Sequence, residues 1–247
     1  MVAAAIRYSP LLILALLWEA LVRTGLVSQL VLPPFSAVMA AFEPLATDGD
    51  TYAHLLSSLM RAASGLGLAI LIGTTAGVLM AWYPTVRALV NPIVQMFYPM
   101  PKSALIPVMI LWFGLGDMSK IVLIFLGCLL PIVVSSFNGA RGVDDVLIWS
   151  ARSLGASRNK VLWQIVIPAA MPEILTGIRT ALAISFVLLV SSELVIAKDG
   201  IGYLISGFGD GGAYDAMFAC IIVVVAIGFF ADRAFQFLMR RLLIWRE

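Results

Sequence analysis

Several runs of this chain stay apolar for the ~20 residues that a helix needs to cross the hydrocarbon core of a bilayer. That property excludes most folds, because in lipid every backbone N–H and C=O must be satisfied internally, which an apolar run of this length does by forming a helix. Composition agrees: 62% of the 247 residues are hydrophobic and 12% are charged, where a soluble domain carries about 25% charged residues. The expected fold class is an all-α membrane protein with six transmembrane helices, over about 9–22, 59–82, 88–113, 119–137, 172–196 and 216–238. These form one transmembrane domain over residues 1–247, with an insert at 144–168 between the fourth and fifth spans. The first run, from Pro10 past Trp18 to Leu21, has no small-residue cleavage site and reads as an anchoring helix rather than a signal peptide. A net charge of +2 gives no footing for nucleic acid.

Where the charges fall says more than their sum. With six spans both termini share one side, and Arg7, Arg87, Arg141, Arg152, Arg158, Lys160, Arg179, Arg233, Arg240, Arg241 and Arg246 fall there. The other side holds Arg23, Arg61, Lys120 and Lys198. The positive-inside bias then places both termini and the insert in the cytoplasm, with membrane lipid around the spans.

The second span carries Gly65, Gly67, Gly73 and Gly77, which let another helix approach closely. Before it, residues 24–58 read as irregular, with an extended break at Leu32–Phe35 and Ser36 capping a short helix through Phe42. The third span is interrupted by Pro92, Pro99, Pro101 and Pro107. Such breaks survive at membrane depth only where the freed backbone faces protein or a wet cavity, so this segment is either a kinked scaffold or a pathway lining. In the second case Gln95, Tyr98 and Ser103 touch the solute, and Lys102 is a functional candidate unless it snorkels to the interface. Met100, Ser185 and Ser191 complete the candidate pathway. Gly200 opens a glycine-rich loop through Gly212. Glu193, Arg61 and Arg179 lie near span ends within reach of water or headgroups, and His54 reads as a surface histidine. Cys128 and Cys220 sit in apolar runs and behave as small hydrophobes, giving neither a disulfide nor a metal site.

The insert is the one long polar-studded passage. Asp144 or Asp145 can cap a helix to about Leu154, Gly155 suits the left-handed position that ends it, and Ser157 can cap a second helix that Pro168 stops. Two short helices then meet at a glycine corner presenting Ser153, Leu154, Ala156, Ser157 and Arg158 to the cytoplasm. A corner of small side chains suits a groove on another protein; the other reading is an interfacial helix lying on anionic lipid.

On these residues the insert resembles the EAA loop of binding-protein-dependent ABC importer permeases. Ala151, Gly155, Ile165 and Pro168 fall on that pattern's spacing, while Trp149 stands where the pattern has glutamate and Ser150 replaces its first alanine. LPPFSAV, HLLSSLMRAASG, NPIVQMFYPMPKSALIPVMILWFGLGDMSK, IPAAMPEILTGIRTAL and the SSEL…GIG passage resemble permeases of the sulfonate, taurine and nitrate group. The resemblance implies a bacterial inner-membrane subunit that forms a homodimer with a second permease subunit. Its insert, Ala151, Arg152, Ser153, Leu154, Gly155, Ala156, Ser157 and Arg158, would dock on a cytoplasmic ATP-binding subunit dimer. A periplasmic or surface solute-binding protein would deliver a small oxyanion. ATP and Mg would bind the partner ATPase, with no cofactor in this chain.

The residues themselves fit a passive subunit, since no G-x-x-x-x-G-K-[ST] cradles a nucleotide. A secondary transporter would show paired inverted repeats with midplane ionisable groups, and a membrane enzyme would show clustered acid, base or nucleophile groups. Neither pattern is present in the sequence.

Overall fold

The computed structural model describes residues 2–244. Arg246 and the side chain of Arg7, both counted in the charge asymmetry, lie outside the described residues. The described chain is helical throughout, without a strand. In order it holds α1 (Val2–Arg23), α2 (Phe35–Ala40), α3 (Phe42–Thr47), α4 (Gly49–Trp82), α5 (Pro84–Phe97), α6 (Ile106–Phe113), α7 (Asp117–Arg141), α8 (Asp145–Ser153), α9 (Arg158–Val161), α10 (Ile167–Ile196), α11 (Ile201–Asp210) and α12 (Tyr214–Leu242). Among these residues α4, α7, the run Arg158–Val195 and α12 are long and apolar enough to cross a membrane. A fifth span arises if α5 and the segment Lys102–Phe113 count as one.

The elements depart from the sequence reading in five places. Asp48, whose carboxylate accepts from the N–H groups of Asp50 and Thr51, starts α4 ten residues before Leu59, within the stretch expected to be irregular. The third span is no kinked rod: α5 ends at Tyr98, and the chain resumes at Lys102 after a bend of 92°. Ser36 does not cap α2; its N–H and hydroxyl instead donate to the Glu19 carboxylate of α1, so a neighbouring helix supplies the cap. Pro168 does not stop a helix either. A π turn at Leu162–Val166 widens the backbone just ahead of it, so α9 and α10 form one continuous helical run. Widening is the known way to accommodate a proline, which lacks an N–H and crowds the preceding turn. Gly200–Gly212 is mostly helix rather than loop, because Ile201 and Ile205 share a face and bury it against α12 and the short helices α2 and α3.

At the centre α7 lies between α4 and α10. Backbone contact with α4 is direct: a Cβ on Gly77 would sit 2.5 Å from the Val133 carbonyl and 2.6 Å from the Ser136 Cβ. Larger residues would force the helices apart, and in lipid close packing of this kind is what holds helices together. Ile124, Cys128, Ile132, Ala181 and Leu189 fill the interior, and both cysteines are free and buried. By contrast α1 leaves Leu12, Ile13, Leu14, Leu16 and Leu17 exposed, a surface suited to lipid. Trp18 fastens that helix by packing on Phe35 and Phe218 and donating Nε1–H to the Pro33 carbonyl at 2.9 Å.

Candidate coupling corner and solute pathway

The insert folds as its local signals dictate. Asp144 caps α8 by accepting from the Val146 N–H at 2.9 Å. The helix ends in paired reverse hydrogen bonds, Ala156 N–H to the Ala151 carbonyl and Gly155 N–H to the Arg152 carbonyl. That closure needs a left-handed residue, and Gly155 supplies it at φ +80°. Ser157 then caps α9 by accepting from the Lys160 N–H. Leu154 stands at the apex with 86% of its surface exposed, flanked by exposed Arg152, Ser153 and Ser157. Ala151 and Ala156 turn inward onto the core, as do Val143 and Ile148. Val146, Leu147 and Trp149 are exposed, so Trp149 offers an indole where the EAA pattern has a carboxylate. Arg158 is exposed and also reaches back to α4. Its Nη2 donates to the Trp82 carbonyl at 3.0 Å, and its guanidinium lies 5.6 Å from the Trp82 ring and 5.0 Å from the Tyr83 ring. The corner is thereby tied to the α4–α5 junction.

The candidate pathway residues fall in separate places within one chain. Gln95 and Tyr98 line a cleft of about 370 Å³ between α5 and α7, together with Asn91, Val94, Phe137 and Asn138. The spacing from Asn91 to Gln95 to Tyr98, four residues and then three, sets them on one face of α5. Among the described residues none of the Asn91, Gln95, Tyr98 and Asn138 side chains has a hydrogen-bond partner. An amide left without a partner in hydrocarbon costs roughly 4–8 kcal/mol, so this face meets water, solute or another polar surface rather than lipid tails. Lys102 is occupied otherwise: its ammonium donates to the Phe97 and Met100 carbonyls, neutralising the frayed end of α5 at the bend. Met100 sits half-buried in that bend and Ser103 is exposed just after it. Ser185 is fully buried and donates to the Leu182 carbonyl, whereas Ser191 lines a mostly apolar groove between α10 and α12. An ion pair between Arg179 and Asp232, at 2.6 Å, joins the same two helices, and both side chains remain partly exposed.

At the end of the molecule away from the insert lies a cluster that sequence reading missed. Arg61 and Glu193, expected within reach of water, are 2% and 1% exposed. One guanidinium serves three carboxylates, meeting Glu193 at 2.8 Å and both Asp117 and Asp199 at 2.6 Å. Glu193 also accepts from the Ser58 hydroxyl and from the Gly202 N–H. Ser58 in turn accepts from the Ile201 N–H, and His54 Nδ1 accepts from the Gly200 N–H, so His54 is a structural ligand of that turn. A Cβ on Gly200 would lie 2.4 Å from the Glu193 carboxyl, which is why glycine occupies the turn. Partial burial would raise the Asp199 carboxyl, but the Arg61 guanidinium outweighs it and holds the group below its ordinary value of 3.8. The cluster bolts α4, α7, α10 and the start of α11 together. Its only advance signal was an arginine and a glutamate inside apolar runs.

A helical bundle with several membrane-spanning helices, a cleft between α5 and α7 and a capped, exposed corner between two spans defines a multi-pass membrane protein. The chain belongs to the binding-protein-dependent transport system inner membrane component family, whose match covers residues 69–244. It is 38% identical over 240 residues to the taurine transport system permease protein TauC of Escherichia coli (strain K12), covering 95% of this chain and 87% of that one. It is 36% identical to the putative aliphatic sulfonates transport permease protein SsuC of Bacillus subtilis (strain 168), covering 96% and 86%. Among solved structures the fold matches the inward-facing MetNI methionine ABC transporter with TM-score 0.65 at 19% identity, over 77% of this chain and 95% of that one. An amino acid ABC transporter matches with TM-score 0.61 at 16% identity, over 81% and 94%. The chain is a multi-pass permease subunit of an ABC importer.

Proposed function

We propose that this permease moves small sulfonates such as taurine into the bacterial cytoplasm, as a homodimer driven by a separate ATPase pair that binds ATP and Mg. A solute-binding protein delivers the sulfonate to the outer face. Both termini and the insert are cytoplasmic, as the clustering of arginine and lysine on that side supports, and the whole chain acts as one six-span domain. The relatives named for taurine and aliphatic sulfonate transport support the solute class.

The observation that carries the coupling is the corner at Leu154–Gly155. Both its helices are capped by side chains, and its apolar tip is exposed. Beyond it the chain is helical for 38 residues, Arg158 to Val195, a rod of roughly 55–60 Å at 1.5 Å per residue. Its far end is held by Glu193 in the Arg61 cluster. A push at the corner therefore tilts the rod about that fixed end, and Arg158 carries the same displacement to the α4–α5 junction. ATP-driven closure of the partner pair moves two such corners and switches the side on which the cleft opens. The test is purification in mild detergent followed by reconstitution: an ATP-binding subunit co-purifies, and taurine uptake requires ATP. Recovery without such a subunit, together with ATP-independent uptake, overturns the proposal.

A further inference from the structure

The polar stripe on α5 continues one turn beyond the cleft. Arg87 lies four residues before Asn91, on the same face as Gln95 and Tyr98. Across from it on α7, Arg141 follows Asn138 by three residues. The two guanidiniums share one aromatic ring, each 5.8 Å from the centroid of Phe137, which itself lines the cleft. Neither arginine has a carboxylate partner among the described residues. A carboxylate, Glu173, borders the adjoining recess beyond Asn138 and does not line this cleft. Two like charges held on one ring without a counter-ion repel each other, and an incoming anion relieves that repulsion. Deeper in, the available donors are neutral: the amides of Asn91, Gln95 and Asn138 and the Tyr98 phenol.

We infer that the α5–α7 cleft is a two-stage oxyanion site, with Asn91, Gln95, Tyr98 and Asn138 receiving a sulfonate through uncharged donors and Arg87 with Arg141 drawing it toward the insert end. This rests on the sulfonate reading above and assigns it a place in the chain. Uncharged donors suit the inner stage because a solute in transit must be held weakly enough to leave. The arginines sit where the solute departs, at the mouth, and stacking on Phe137 fixes each cation without occupying all of its N–H groups. Lys102, the charge that sequence alone would nominate, is absorbed by the backbone of the bend and leaves this role to the two arginines.

Cysteine accessibility tests the site, because native Cys128 and Cys220 are 0% and 1% exposed and give little background. The full chain with its partner subunits, in inside-out membrane vesicles, carries Gln95→Cys or Asn138→Cys. Each variant is treated with anionic sulfonatoethyl methanethiosulfonate or with its cationic trimethylammonioethyl counterpart. Rates are normalised to those of a free thiol in solution. Both positions react about tenfold faster with the anionic reagent, the local enrichment that a cationic cleft produces. Adding Arg87→Gln and Arg141→Gln brings the ratio close to one. Leu89→Cys, on the opposite face of α5 and 70% exposed, shows no preference for the anionic reagent; an equal preference there would overturn the inference. Failure of both cleft positions to label would mean that another surface covers the face, and would overturn the inference. So would a ratio indifferent to the two arginines. Taurine uptake is read separately on the complex with the unaltered chain: its absence beside charge-selective labelling of the cysteine variants would overturn the sulfonate reading while leaving the anion site in place.

Discussion

Glu193 shows how much a single residue can hold at the end of a helix. Its carboxylate meets Arg61, Ser58 and the Gly202 N–H in a site with almost no water contact. Removing one partner of a buried ion pair leaves the other charge uncompensated, at a cost of about 3–5 kcal/mol. Glu193→Ala should therefore lower the melting temperature of the detergent-solubilised protein sharply, and Glu193→Gln less so because it keeps the shape and one acceptor. Asp199 adds a pH dependence. Its folded carboxyl titrates below the ordinary value of 3.8, so its stabilisation is complete above that value and is lost as pH falls from there through the lowered one. A melting-temperature profile should drop in that acid range, and Asp199→Asn should flatten the drop. Beyond an arginine and a glutamate inside apolar runs, this was not legible in the sequence, because Arg61 and Glu193 lie 132 positions apart and nothing local signals the pairing. Gly155 is the opposite case: the caps Asp144 and Ser157 and the glycine between them announce the corner within one short local stretch.

Elements were legible where hydrophobic runs set them and illegible where packing overrode a breaker. Pro168 and the glycines of 200–212 both read as interruptions, yet the π turn absorbs the first and the burial of Ile201 and Ile205 makes a helix of the second. The distinction matters for mechanism, because a rod that ended at Pro168 could not carry a push from Arg158 to Glu193. The tie between Arg158 and the Trp82 carbonyl is the second half of that lever. Arg158→Glu removes the donor and both ring contacts, and should reduce ATP-dependent uptake severalfold while leaving membrane insertion intact, as checked by uptake assays alongside membrane fractionation. Gly155→Pro goes further, since proline cannot adopt φ +80°; it should abolish uptake altogether.

At the scale of the whole molecule, a charge cluster lies at one end, the insert at the other, and the cleft lined by Asn91, Gln95, Tyr98 and Asn138 lies between α5 and α7. The end with Arg61 is locked by a buried ion pair with Glu193, while Val146, Leu147, Trp149 and Leu154 are exposed at the insert end. On the proposed function, such a subunit holds still where the solute arrives and moves where energy is applied. The central claim is that energy enters at the tip of the corner, and Leu154 tests it directly. With 86% of its surface exposed, Leu154 contributes little to the fold of this chain, so Leu154→Asp should leave the subunit folded and inserted. ATP-dependent taurine uptake by proteoliposomes containing the complete complex is the decisive measurement. The account predicts that Leu154→Asp eliminates most of that uptake by weakening the docked partner; uptake equal to that of the unaltered chain would contradict it.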